Sequence, residues 1–350
     1  MSNPTQAAER QTALQTWLLS LPSSLGLNPH TMIAASSDAS FRRYWRIASH
    51  QSTLIAMDAP PPHEDCRPFL DVTKRLTTAG VTVPEVLACD LEQGFMLLSD
   101  LGRQTYYDAV TSGLSDQTLQ THYRQALDML VKLQQGEVTA LPVLDAPRLR
   151  TELALFEQWF VRQHYQVELT EAESGALEAI FKRLCTEIEN EPRVLVHRDF
   201  HSPNLMVCEP DSGLINPGVL DYQDAVAGPL SYDIASLVFD ARTTWQEPQQ
   251  LDWMIRYWEK ARAAGLPVPD DFAVFHQQCE FTSLQRNLRI LGVFARLNHR
   301  DGKSHYLAHL PRVLLYVRQV AGRYQAFAAL ARLLDRLEGI KPNVSLSFAP

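Results

Sequence analysis

The spacing of apolar residues changes once along this chain, near residues 98–104. Before that point, short segments rich in β-branched and aromatic residues alternate with turn residues, which predicts β-strands. After it, apolar residues recur every three or four positions in long segments such as "TLQTHYRQALDMLVKLQQG", which predicts amphipathic helices. We therefore expect an α+β fold, with a small β-rich lobe over residues 1–103 and a larger, mostly helical lobe over residues 104–350.

The first lobe is expected to be a small sheet that carries one helix. The segments "TMIAAS", "RYWRIAS" and "TLIAMDAP" predict three strands, with "HQS" as a hairpin turn between the last two, and "VTVPEVLACD" and "GFMLLSDLG" predict two more. Between these groups, "CRPFLDVTKRLTTAG" places Phe69, Val72 and Leu76 on one helical face and closes with Gly80.

The bulk composition excludes several classes of protein. The formal net charge is -8 and the pI about 5.8, so the chain lacks the basic stripe that nucleic acid or an anionic membrane would require. Its five cysteines are scattered and never spaced as CxxC, which argues against a disulfide framework and a zinc site. No signal peptide or membrane span is recognisable, and no obligate protein partner is evident, so we expect a cytoplasmic protein.

One segment, residues 193–224, interrupts the helical pattern with clustered polar residues. The strand-like "RVLV" runs into "HRDFHSPN", and "NLMVCEPDSGLINPGVLDY" predicts a hairpin that brings Asn204 and Asp221 together beside Asp199. Oxygen ligands of this kind suit Mg²⁺ that is shared with nucleotide phosphates. The pattern H-x-D-x-x-x-x-N followed by a second Asp is typical of kinases, in which the first Asp orients the attacking hydroxyl. A polar surface turn is the alternative interpretation.

The segments "VHRDFHSPN", "VLDYQDA" and "GPLSYDIASL" resemble the aminoglycoside phosphotransferase and choline kinase group, which is related to the protein kinases. The resemblance implies a two-lobed protein-kinase-like fold that uses ATP and Mg²⁺, with Asp199 as the catalytic aspartate and Asn204 and Asp221 as metal ligands. It also implies that His197 and Asp233 brace the catalytic loop. The absence of a long activation segment favours a small-molecule hydroxyl as acceptor over a polypeptide.

The nucleotide side departs from the kinase pattern. No G-x-G-x-x-G is present, and Met57 stands where a strand lysine is expected. In its place, Arg43 with Glu64 as partner is the expected cation, because strand alternation separates Arg43 from Arg42 and Arg46. The expected ATP contacts lie in the loop at the position of the glycine-rich loop, around the strand that carries Arg43, and in the crossover "LLSDLG". They are Ser37, Ser40, Arg43, Glu64, Ser99 and Leu101.

The acceptor is indicated by a narrower resemblance. "LIAMDAPPPHEDCRPF", "GFMLLSDLG" and "ARLNHRDGKSHYLAHLPR" resemble bacterial kinases that phosphorylate the anomeric hydroxyl of N-acetylmuramate and N-acetylglucosamine during cell-wall recycling. The expected sugar contacts are His201, Glu280, Arg286 and Arg289. Glu280 is assigned to the sugar hydroxyls and an arginine to the lactyl carboxylate, with solvated helix charges as the alternative. Two other hypotheses stay open: a different acceptor, such as an aminoglycoside, choline or another sugar, and an inactive nucleotide-binding scaffold.

Overall fold

A computed structural model describes residues 4–36, 41–50, 52–61 and 63–340 of the chain. Its N-terminal part is a five-stranded antiparallel sheet in the order β1-β2-β3-β5-β4. The strands are β1 (Leu27–Ser36), β2 (Arg43–Ser49), β3 (Ser52–Asp58), β4 (Val86–Asp90) and β5 (Phe95–Ser99). The predicted strands and the hairpin turn between β2 and β3 are therefore present.

Each face of this sheet is covered by one helix. Helix α1 (Pro4–Ser20) packs Leu14 and Leu18 against one face in a small core of its own. Helix α2 (Arg67–Thr78) covers the other face with the three buried residues that its helical spacing predicted. Gly80 follows α2 with φ +77°, a left-handed conformation that terminates a helix at little cost only for glycine.

The crossover from the sheet to the helices, residues 100–105, is tied to the sheet by side chains. Arg46 on β2 donates hydrogen bonds to both carboxyl oxygens of Asp100 and to the carbonyl of Gly102. Thr53 on β3 donates to the same carboxylate at 2.7 Å. These contacts fix the crossover relative to β2 and β3, so the cleft between the two parts has one well-defined wall.

The remainder of the described chain is mainly helical, as the sequence predicted. Its helices are α3 (Tyr106–Thr111), α4 (Asp116–Gln134), α5 (Ala146–Leu155), α6 (Glu171–Glu189), α7 (Ser231–Val238), α8 (Glu247–Ala263), α9 (Phe272–His299), α10 (Leu310–Arg323) and α11 (Ala328–Leu337). Helix α5 continues as a π-helix over Phe156–His164. Within the described ranges, no helix is both long enough and apolar enough to cross a membrane.

Helix α9 lies at the centre of this helical part. Phe281, Leu284, Leu288 and Leu291, which recur at helical spacing, are buried, but nearly every other residue from Cys279 to Ala295 is buried as well. Gly292 permits close packing, because a Cβ at this position would lie within 2.4 Å of the Leu155 carbonyl group. The alternative of solvated helix charges is therefore wrong for Glu280 and Arg286, which are buried, whereas Arg289 is partly exposed.

Two short strand pairs hold the polar segment that interrupts the helices. Strand β6 (Arg193–Val196) pairs with β9 (Val226–Pro229), and β7 (Leu205–Met206) pairs with β8 (Gly218–Val219), both antiparallel. The predicted hairpin is thus present as β7–β8. The loop between β6 and β7 and the turn after β8 lie side by side, joined by a hydrogen bond between His197 and the Leu220 carbonyl.

Candidate active site

The loop that follows β6 is held by buried hydrogen bonds to its backbone. Asp233, fully buried on α7, accepts hydrogen bonds from the backbone N–H of His197 at 2.7 Å and of Arg198 at 3.0 Å. These bonds hold Arg198 at φ +78°, a conformation that costs energy for a non-glycine residue. The His197 ring accepts from the Asp199 N–H through Nδ1 and donates from Nε2 to the Leu220 carbonyl. The ring thereby joins the loop to the end of β8.

Asn204 and Asp221 lie together at the open end of the β7–β8 hairpin. The Leu220 N–H donates to the Asn204 carbonyl at 2.9 Å, and the Asn204 side-chain amide donates to the Asp199 carbonyl at 2.9 Å. Because the side-chain nitrogen of Asn204 faces the Asp199 carbonyl, its side-chain oxygen points away from that carbonyl. Asp221 is held at φ +62° and accepts from the Gln223 amide at 2.9 Å. The hairpin therefore brings together the residues for which the sequence predicted a shared role.

These donors suit magnesium better than a softer metal. Asn204 and Asp221 offer an amide oxygen and a carboxylate oxygen, the hard ligands that Mg²⁺ prefers when phosphate oxygens complete its shell. Among the described residues, no group of three or more His, Cys, Asp or Glu side chains could hold a metal ion alone. The donor set thus fits a cation that is shared with a bound phosphate.

Asp199 lies in the cleft with its side chain 38% exposed. Arg286 on α9 places Nη2 3.5 Å from its carboxylate, and Arg289 lies one helical turn further along. Burial by itself would raise the pKa of Asp199, but the positive charges of Arg289 and Arg286 outweigh burial and hold the pKa well below its usual value. Asp199 is therefore ionised at neutral pH and can accept a hydrogen bond from an acceptor hydroxyl.

A cluster of charged side chains supports the loop that follows β6 and contains Asp199. Glu152 on α5 accepts from Arg198 at 2.6 Å and lies 3.7 Å from Arg289. His201 places Nδ1 3.7 Å from the buried Asp240, and burial lowers the pKa of His201 to about 4, so its ring is neutral. Three of the four residues expected to contact the sugar, namely His201, Arg286 and Arg289, thus lie around Asp199.

Glu280 is the exception among the expected sugar contacts. Its carboxylate is completely buried, forms an ion pair with Arg323 and accepts a hydrogen bond from the Tyr324 hydroxyl at 2.6 Å. His276 lies one turn earlier on α9, 3.6 Å from the same carboxylate. The assignment of Glu280 to sugar hydroxyls was wrong, because both oxygens are engaged in a network that joins α9 to the end of α10.

On the nucleotide side, the structure changes the predicted ion pair. Glu64 pairs with Arg42, with Nη2 and Oε2 2.9 Å apart, and not with Arg43. Arg43 instead donates to Asp58 at 2.7 Å, the residue directly opposite it on β3. The expectation of an Arg43–Glu64 pair was wrong because Arg43 lies on the face of β2 that α1 covers, where it also donates to the Ala7 carbonyl.

The other expected ATP contacts differ in what the structure says about them. Ser37 and Ser40 lie outside the described residues. Ser99 uses both its N–H and its hydroxyl oxygen to bond the backbone of Glu85, and Leu101 packs its side chain on Gly218. These two residues therefore support the wall of the cleft, and their contact with a nucleotide stays a prediction.

Comparison with known proteins agrees with this geometry. Residues 31–268 match the model of the phosphotransferase enzyme family. The chain belongs to this family. It is 46% identical to the N-acetylmuramate/N-acetylglucosamine kinase of Pseudomonas aeruginosa, over 88% of this chain and 89% of the relative. It is 40% identical to the protein of the same name in Neisseria meningitidis serogroup B, over 95% and 97%.

A solved member of the wider group supports the fold. The ADP-bound aminoglycoside phosphotransferase APH(2'')-Ib is 14% identical and superposes with a TM-score of 0.56, covering 88% of this chain and 97% of that one. The α+β, two-lobed, kinase-like architecture expected from the sequence is therefore confirmed. Family membership confirms the phosphotransferase resemblance as well.

Two supporting residues of the site were missed by the sequence reasoning. Asp240 accepts from the N–H and hydroxyl of Ser202 in the catalytic loop, and Glu152 pairs with Arg198. Asp240 carried no periodic signal, because it lies two residues beyond the end of α7 at Val238. Glu152 carried no signal either, because it lies on a helix far away in the sequence.

Proposed function

We propose that this protein is an ATP-dependent sugar kinase that phosphorylates the anomeric hydroxyl of N-acetylmuramate and N-acetylglucosamine. The observation that carries the proposal is the 46% identity to a relative of that name over 88% of this chain. The assembled Asp199, Asn204 and Asp221 support it, because an inactive scaffold would not need them. ATP as donor is supported by the family's relation to an ADP-bound phosphotransferase.

The charges around Asp199 favour an anionic acceptor. The Arg286 side chain is 2% exposed, and its Nε and Nη1 have no hydrogen-bond acceptor among the described residues. A buried guanidinium group with two unused donors is costly unless a ligand engages it. The lactyl carboxylate of N-acetylmuramate matches this need, since carboxylate and guanidinium can form two parallel hydrogen bonds. Arg289, which is partly exposed, is the second candidate for this contact.

The reaction needs no covalent enzyme intermediate. The anomeric oxygen forms a bond to the γ-phosphorus as the bond between that phosphorus and the β,γ-bridging oxygen breaks, and ADP leaves. Asp199 orients the hydroxyl and accepts its proton late, which suits a carboxylate whose pKa is held low. The anomeric hydroxyl is more acidic than an ordinary alcohol, so a weak base suffices.

Magnesium would be held by Asn204 and Asp221 together with the nucleotide phosphates. When bound, the ion would neutralise charge on the phosphate oxygens. His197 keeps the two halves of this site in register, because its ring bonds both the Asp199 N–H and the Leu220 carbonyl.

The test is phosphorus NMR of the purified protein with Mg²⁺, ATP and one sugar at a time. A sugar 1-phosphate resonance is expected with each sugar, and Asp199→Ala protein should give none. Asp211→Asn serves as the matched control, since Asp211 lies exposed at the tip of the β7–β8 hairpin and should leave the reaction unchanged. Turnover of ATP with neither sugar, but with another hydroxyl compound, would refute the proposed acceptor.

A further inference from the structure

Strand β3 provides no cation to the cleft. Met57, at the expected lysine position, is fully buried between Tyr44 on β2 and Met96 on β5. The next residue, Asp58, is a buried carboxylate that pairs with Arg10 on α1 and Arg43 on β2. A kinase site nevertheless needs positive charge near the transferred phosphate, because that charge stabilises the transition state.

The three arginines near the start of β2 have different partners. Arg43 is used by Asp58, and Arg46 is used by Asp100 and the crossover. Arg42 is paired with Glu64, and its charge also interacts with Asp221 and Asp224. Burial alone would lower the pKa of Arg42, but these carboxylates and Tyr44 outweigh burial and raise it. Of the three, Arg42 is therefore the one whose charge interacts with the proposed metal ligand.

Two neighbouring contacts hold Arg42 in place. The Phe41 ring stacks on the His63 ring, with centroids 4.3 Å apart and planes 16° from parallel. Arg42 follows Phe41, and Glu64 follows His63. These two residues form an ion pair, and their side chains are 11% and 14% exposed. Consecutive residues of the segment before β2 thus pair with consecutive residues of the segment before α2. We call these four residues, Phe41, Arg42, His63 and Glu64, the clasp.

The clasp is connected to the Asp221 turn through α2. Tyr222, which follows Asp221, stacks on Phe69 with centroids 5.0 Å apart. Its hydroxyl lies 2.9 Å from the Thr73 hydroxyl, also on α2. Since Glu64 lies just ahead of α2, the helix fixes the distance between the clasp and the metal-binding turn.

Resting on the proposed function, we infer that Arg42, oriented by Glu64, binds the phosphates of the nucleotide in place of the missing strand lysine. The guanidinium group keeps its charge at any physiological pH and can bond phosphate oxygens in pairs. Glu64 is a positioning residue, because its ion pair with Arg42 orients the guanidinium group. Other kinases contact the phosphates with a lysine on the third strand. This protein would contact them with an arginine that directly precedes β2.

The experiment measures the affinities of adenosine, Mg-ADP and Mg-ATP for the full-length protein by calorimetry. Arg42→Ala should bind adenosine within about 2-fold of the wild type and lose roughly 10- to 100-fold for Mg-ATP, the range expected for a charged hydrogen bond. Arg42→Lys should recover part of that loss. Arg67→Ala is the matched control, because Arg67 is an arginine of the same lobe with a side chain that is 79% exposed.

A double-mutant cycle separates orientation from general stabilisation. Glu64→Gln should weaken Mg-ATP binding by less than Arg42→Ala and should cause no further loss in the Arg42→Ala protein. Independent, additive losses would show that Glu64 does not act through Arg42. Unfolding temperatures of all variants identify any variant that fails to fold, and Arg42→Lys then carries the comparison.

Two results would overturn the inference. One is wild-type affinity for Mg-ATP in Arg42→Ala, and the other is an equal loss of affinity for adenosine, which has no phosphate. A selective loss in Arg43→Ala instead would return the role to the neighbouring arginine. The measurement uses no sugar, so a wild-type protein that binds Mg-ATP but phosphorylates neither sugar would refute the proposed function and leave this inference standing.

Discussion

The two walls of the cleft are built by different means. On the helical side, the catalytic loop is held through its backbone by buried groups, above all Asp233, which accepts from two consecutive N–H groups. On the sheet side, the phosphate-facing charge is held by side chains, in the clasp of Phe41–His63 and Arg42–Glu64. Few residue types can hold a loop through its backbone N–H groups. A contact between two side chains, by contrast, can be replaced by a contact between two other side chains. The first wall therefore has a recognisable sequence pattern and the second does not.

The largest expected effect comes from removing the Asp199 carboxylate, which lies in the loop that is held through its backbone. Asp199→Ala should lower kcat by about 10²- to 10⁴-fold, because the variant lacks the carboxylate that orients the hydroxyl and takes its proton. Mg-ADP affinity should stay close to that of the wild type, since Asp199 is not expected to contact the nucleotide. Steady-state kinetics and calorimetry check both points. Retained turnover in this variant would contradict the mechanism.

Asp221→Asn tests the position where the two walls meet. We expect kcat/KM for Mg-ATP to fall on the order of 10²-fold, because a neutral amide is a weaker ligand for Mg²⁺ and no longer balances Arg42. Unlike Asp199→Ala, this variant should also bind Mg-ADP more weakly. Titration of Mg²⁺ at fixed nucleotide should show a higher half-saturating concentration. An unchanged Mg²⁺ dependence would remove Asp221 from the metal site.

Asp233→Asn weakens the backbone constraint without removing a group from the reaction. An amide can accept from one N–H of the loop but presents its own N–H₂ to the other, so the left-handed Arg198 loses support. We expect kcat to fall by about 10-fold through misplacement of Asp199, with KM for Mg-ATP little changed. Asp252→Asn, on the surface of α8, is the matched control. An equal effect of the two variants would show that the backbone bonds do not position the loop.

The difference between the walls also explains what the sequence could reveal. Asn204 and Asp221 were predicted correctly to meet, because the antiparallel pairing of β7 with β8 places the residue before one strand near the residues after the other. Glu280 was assigned wrongly, since periodicity identifies an apolar face of α9 but cannot show that the opposite face is buried too. The partner of Glu64 was missed because strand alternation separates two adjacent arginines but does not say which face of β2 is covered by α1.

The same principle applies to the strands and helices. Strand alternation and helical spacing predicted the sheet, α2 and the helical part, because these elements bury one face and the pattern records it. The cluster of Glu152, Arg198 and Arg289 could not be predicted, because it joins α5, the catalytic loop and α9 across long stretches of chain. Such charge pairs depend on tertiary packing, and their residue types are common on surfaces.

The smallest expected effect concerns a second buried carboxylate behind the backbone-held wall. Glu191 accepts from the Ser231 N–H at 3.0 Å and from its hydroxyl at 2.8 Å, at the start of α7, the helix that carries Asp233. Burial raises the pKa of Glu191 from 4.5 to about 7, against the lowering effect of the Ser231 and Thr282 hydrogen bonds. The folded protein thus binds this proton more tightly than the unfolded chain does.

The contribution of Glu191 to stability is therefore fully present below about pH 4.5 and is lost as the pH rises through about 7. Glu191→Gln should remove this dependence, which amounts to about 2 to 3 kcal/mol, and raise the unfolding temperature at pH 8 relative to the wild type by a few degrees. Glu187→Gln is the control, because Glu187 is exposed near the end of α6, four residues before Glu191. Parallel pH profiles for wild type and Glu191→Gln would mean that this carboxylate keeps the same charge throughout and that its burial does not make the stability of the protein depend on pH.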